Sequence, residues 1–184
     1  MRALLDGLYR LSGALAAFFL VAIAVVVLLQ VGANLIDALI KAFGGEPIGL
    51  VIPSYAEFAG FFLAASSFLA LAYTLRAGGH IRVELLLQRL GSGARRVAEV
   101  WCVAAGAAIA AYFTWYASGL VLESIQYGDV SPGIVPVPLW IPQSAMALGL
   151  AVLAIALLDE LVHVLRGGAP SYAEAAPSSP AEHE

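Results

Sequence analysis

Five of the nine Lys and Arg residues, Arg76, Arg82, Arg89, Arg95 and Arg96, fall between positions 73 and 96, with His80 and Glu84 among them. Basic residues gathered this way hold phosphate. The Gly78-Gly79 pair at the start of the run follows a long apolar segment, not a strand, so it does not read as a nucleotide-binding loop. Lipid headgroups fit better, at about 1 kcal/mol per basic residue near an anionic surface. Val83, Leu86, Leu87 and Leu90 recur at i, i+3, i+4 and i+7, with Arg82 and Arg89 on the other side. This spacing predicts a short amphipathic helix over about 80–90, lying on a membrane surface. Ile81 and Leu85 fall on its polar side, where a protein partner could cover them. Arg76, His80, Arg82, Glu84 and Arg89 are the expected lipid-contact and helix-pinning residues.

Other chemistry is missing. Cys102 is the only cysteine, so there is no intrachain disulfide and no cysteine-based zinc site. His80 and His163 lie at segment ends and His183 near the C-terminus, whereas haem ligation needs histidines facing one another inside a bundle. The sequence has no serine nucleophile elbow and no H-E-x-x-H pair. These absences predict no enzyme activity, no cofactor, no metal and no nucleic-acid partner.

The elements that carry these residues are apolar. The chain is 184 residues, 61% hydrophobic and 12% charged, against roughly 25% charged in soluble domains. Segments 13–29, 58–75, 100–122 and 139–158 contain no Asp, Glu, Lys or Arg. Each is close to the ~20 residues a helix needs to cross ~30 Å of hydrocarbon, and lipid forces such runs to be helical. The fold class is therefore all-α integral membrane. The expected spans are about 11–36, 54–76, 97–122 and 138–163, forming one membrane domain over 1–166. A disordered tail is expected over 167–184, where Ser, Pro, Ala and Glu dominate. Arg2, Arg10, the arginine run and Arg166 fall on one side of the alternation, and only Lys41 on the other. The positive-inside rule then puts both termini in the cytoplasm.

Span ends carry local signals. Ser54 and Glu57 fit a capping box at the start of the second span, and Arg95 and Glu99 are spaced to pair. Gly60 and Ala64, and Gly106 and Ala110, are small residues one turn apart, which lets helices pack closely within the chain or with another subunit. Gln30 and Asn34 are expected to hydrogen-bond between helices or to local backbone. Glu46, Glu123 and Asp129 make the outer side acidic and are candidates for docking a soluble partner by charge complementarity. With no ionisable group at mid-depth, an autonomous pump is disfavoured. A small multidrug exporter would need a carboxylate in the first span, and none lies between Arg10 and Asp37. The remaining alternative is an anchor subunit binding haem or quinone.

Two stretches resemble a known family. "RAGGHIRVELLLQRL" is similar to the cytoplasmic loop of the small membrane subunit (DctQ type) of tripartite ATP-independent periplasmic (TRAP) transporters. The resemblance rests on Arg76, Gly79, His80, Ile81, Val83 and Glu84, where aspartate is the commoner last residue. "GDVSPGIVPVPLWIPQSAMALGL" is similar to that family's outer loop and fourth-span entry, through Ser131, Gly133, Pro138, Trp140, Pro142 and Gln143. The resemblance implies a non-catalytic subunit of the bacterial inner membrane. Its implied partners are a large multi-span permease subunit, a periplasmic solute-binding protein and membrane lipids, in sodium-driven uptake of an organic acid.

Overall fold

The computed structural model describes residues 2–78 and 91–168. Four helices are found there: α1 (Arg2–Ala42), α2 (Tyr55–Arg76), α3 (Ser92–Tyr127) and α4 (Trp140–Leu165). Each is long and apolar enough to cross a membrane. The only strand-like pairing among the described residues is one isolated bridge, Val130 to Pro138.

α2 and α4 match the expected spans closely, but α1 and α3 run well past them. At 1.5 Å per residue, α1 is about 62 Å long and α3 about 54 Å, against roughly 30 Å of hydrocarbon. Hydropathy marks where lipid lies, whereas helix propagation stops only at a breaker. In α1 that breaker is Gly44-Gly45, with Gly44 at φ 80°; in α3 it is Gly128 at φ 66°, a left-handed cap that glycine adopts without steric cost.

The helices pack in the order α1, α2, α4, α3. α2 is the centre of the α1–α2–α4 contact. Tyr9, Ala72, Leu75 and Ala156 form one buried cluster, and Ala16, Ala65 and Leu69 form another. Ser12 Oγ crosses from α1 to donate to the Leu69 carbonyl at 2.5 Å. α3 uses one face, Val103, Ala107, Ala110, Ala117 and Ser124, all buried. Its Gly106 sits against Leu157 of α4. Lipid supplies no hydrophobic drive between helices, so this small-residue contact is what dispersion and close approach require.

Among the glycines, Gly149 of α4 sits tightest against the backbone of another helix, α2. A Cβ on Gly149 would lie 2.5 Å from the Phe68 carbonyl oxygen and 2.8 Å from the Leu69 nitrogen. Backbone cannot swing away as a side chain can. Gly149→Ala is therefore expected to cost about 1–3 kcal/mol and Gly149→Leu to abolish the folded form. Gly60, where a Cβ meets nothing within 4 Å, should accept alanine within about 0.5 kcal/mol. Thermal melting of the purified variants in one detergent checks the contrast.

Candidate functional site

At the end of the bundle where α2 stops, one arginine joins three helices. Arg76 Nη2 donates to Asp6 Oδ1 of α1 at 2.7 Å. Its Nη1 lies 3.9 Å from Asp159 Oδ2 and 3.8 Å from Glu160 Oε2 of α4. The guanidinium also stands over the Tyr9 ring, 5.6 Å from its centroid. Glu160 is 1% exposed, and at 3.8 Å the guanidinium offsets its charge without hydrogen-bonding it. The Asp6 pair is half-exposed and is worth at most about 1 kcal/mol. A guanidinium suits the position because its planar fork of five N–H groups can serve several acceptors at once. Beside it, Arg96 Nη2 reaches the Leu165 carbonyl at 3.5 Å, tying α3 to the end of α4.

At the opposite end two loops are clipped to the helices. α1 rises about twelve residues beyond Gln30, and loop 43–53 folds back along it. Asp37 accepts from the Ile48 and Leu50 N–H groups at 2.9 and 3.0 Å. Gln30 accepts from Ile52 N–H at 2.9 Å and donates to Asn34 at 3.0 Å. Loop 128–139 closes on itself through the Ser131 N–H to Val137 carbonyl bond and the Leu139 N–H to Asp129 carbonyl bond, both 2.9 Å. It is pinned to α2 where Val135 N–H donates to Ser54 Oγ at 3.0 Å. Gly133 presses on the same place: a Cβ there would fall 2.7 Å from both the Glu57 Cδ and Ser54 Oγ atoms.

The expected capping box is therefore not formed. Ser54 is left-handed at φ 57° and makes no side-chain cap bond. Its hydroxyl serves loop 128–139, and Glu57 Oε2 is buried with no hydrogen-bond partner among the described residues. The S-x-x-E spacing is right, but the competing acceptor need of the loop takes the serine. The expected Arg95–Glu99 pair does form, at 3.1 Å.

Between α2 and α3, with α4 as its floor, lies an open groove of about 820 Å³. Phe68, Phe113, Tyr116, Leu120, Met146 and Leu150 line it, and Glu123 stands at its looped end.

Four membrane-length helices among the described residues, with ionic groups confined to their ends, agree with what a family profile finds. The profile for "Tripartite ATP-independent periplasmic transporters, DctQ component" matches residues 48–167. The chain belongs to the DctQ family. No curated protein and no solved structure matches it. Membership makes the chain a component of a TRAP-type transporter, a membrane protein of a family that works with a large permease and a periplasmic binding protein.

In this DctQ chain the residues named from sequence scatter. Arg76 lies at the end of α2 and faces carboxylates of α1 and α4. His80, Arg82, Glu84 and Arg89, with the expected surface helix over 80–90, lie outside the described residues, as does the tail from 169 onward. Glu46 sits on the loop beside α1 and Glu123 on the groove wall. Asp129 caps the end of α3, its carboxylate 3.4 Å from Ser124 Oγ. Ala110 is buried and Gly106 meets Leu157 within the chain, Ala64 is half-buried beside Ala65, and Gly60 faces outward.

Sequence reasoning missed the joint made by Asp6, Asp159 and Glu160. Arg76→Met is expected to destabilise the chain by about 2–3 kcal/mol, because it removes a nearby cation from a buried carboxylate. Asp6→Asn should cost no more than about 1 kcal/mol, and Arg76→Met combined with Glu160→Gln should recover most of the larger loss. Melting temperatures of the three variants read this order directly.

Proposed function

We infer that the chain is the small permease subunit of a TRAP transporter, a non-catalytic brace for the large membrane subunit during sodium-coupled uptake of an organic acid handed over by a periplasmic binding protein. The observation that carries the reading is the DctQ match over 48–167 in a chain whose apolar segments hold no Asp, Glu, Lys or Arg. Transport of an ion or an acid needs polar groups near mid-depth. With the ionic groups at the ends, the substrate path belongs to the partner. The termini and the arginine run face the cytoplasm of the inner membrane, and the two clipped loops face the periplasm. There Glu46 and Asp129 offer negative charge to an approaching binding protein, speeding its encounter without fixing its specificity.

Reconstitution tests this. The chain alone in liposomes with a sodium gradient is expected to accumulate no organic acid. Adding the large subunit and the binding protein of the same transporter should give uptake, and omitting only this chain should reduce that uptake at least tenfold. Sodium-driven accumulation by the chain alone would overturn the reading.

A further inference from the structure

The face of α3 turned away from α4 is not built for lipid. Tyr112, Trp115 and Tyr116 stand on it, and Trp115 is 78% exposed. Their depth follows from the packing. Gly106 meets Leu157, and Gly149 meets Phe68. Counting nine residues along α3 from Gly106 puts Trp115 level with about Leu148 of α4 and Ser67 of α2. That is close to the middle of α2, a helix just long enough, at about 33 Å, to span the hydrocarbon. Indole and phenol rings settle at the membrane interface, where their N–H and O–H groups meet water and headgroups. Here they sit near the midplane. The Tyr112 and Tyr116 rings pack against each other at a tilt, 4.6 Å between centroids, but among the described residues none of the three has a hydrogen-bond partner. Acyl chains cannot supply one, and an unmet polar group in hydrocarbon is costly.

The groove beside this face adds a second requirement. Glu123, two to three turns further toward the looped end, has no ion pair among the described residues. The one basic residue on that end, Lys41, is in the last turn of α1, on the far side of the α2–α4 pair. Ala117 and Gly119 open the groove wall between Tyr116 and Leu120, and a Cβ on Gly119 meets nothing within 4 Å. The surface is therefore concave and apolar, with unpaired donors at mid-depth and a bare carboxylate near its outer end.

We propose that this α3 face and groove seat a transmembrane helix of the large permease subunit, one that offers polar side chains or free carbonyls to Tyr112, Trp115 and Tyr116 and a Lys or Arg to Glu123. The opposite flank of the row differs in kind. The exposed membrane-depth residues of α1 include Phe18, Leu20, Val21, Val25, Leu28 and Leu29, with no polar group to satisfy, and that flank faces lipid. The assignment rests on the bracing role inferred above and adds where the brace is gripped.

A photoactivatable phenylalanine analogue placed singly at Trp115 and at Leu28, in the full chain co-expressed with the large subunit, tests the assignment. Trp115 is expected to give an adduct with the large subunit and Leu28 adducts with lipid. An adduct from Leu28 with none from Trp115 overturns the location while leaving the bracing role standing. Lipid adducts alone, or an adduct of twice this chain's mass, from Trp115 would also overturn it. Failure of the two subunits to co-purify in any form would instead count against the bracing role. Glu123→Lys should lower recovery of the complex at least tenfold, and Gly119→Leu likewise, with the melting temperature of the isolated chain unchanged. Gly32→Leu on α1, also in open space, should leave recovery intact.

Discussion

The structure depends on a constraint set by the bilayer: ionic groups must be kept at the ends of the helices, and there they must hold the helices together. Arg76 meets it at one end. One guanidinium faces carboxylates from α1 and α4 across gaps of 2.7–3.9 Å, so three helices share a single charged joint. At the other end the joint is made with backbone, with Ser54, Gln30 and the Asp37 carboxylate accepting from N–H groups of the two loops. Between the ends nothing ionic remains, and contact falls to small residues and to glycines that let backbones touch.

That division explains the shape of the packing. A closed bundle would hide both flanks of the α2–α4 pair. Here α1 and α3 lie on opposite sides, and each keeps a long free face. The two faces have different chemistry. One is branched and aliphatic, suited to acyl chains. The other carries rings with polar tips at a depth where only protein can satisfy them. A chain with one lipid-like flank and one protein-like flank is suited to extending another membrane protein sideways, which is what a bracing subunit does.

Much of the fold was legible because hydrophobicity over twenty residues is a strong signal. The bounds of α2 and α4 lie within two residues of the expected spans, which extend the apolar runs to the nearest end signals. The extra turns of α1 and α3 were not legible, since residues such as Ala38, Leu39 and Ile40 propagate a helix whether or not lipid surrounds them. The Arg76 joint was hidden for another reason. Asp6, Arg76 and Glu160 are far apart in the chain, and an arginine at a span end has a sufficient local explanation in topology and lipid. A trace of it was present: Asp6, Asp159 and Glu160 all fall within a few turns of span ends on the same side as Arg76. The capping box at Ser54 failed because a short motif describes only local partners, and Val135 comes from 81 residues away.

The central claim is the inferred bracing role, and a brace can support its neighbour only if its own helices keep one arrangement. Pulsed electron–electron distance measurements between spin labels at Val31 of α1 and Leu148 of α4 test it most directly, in bilayers, with the chain alone and in the complete transporter under sodium and substrate. The account predicts one narrow distance distribution, the same in every state. A broad distribution in the isolated chain, or a peak that moves when sodium and substrate are added, would contradict it.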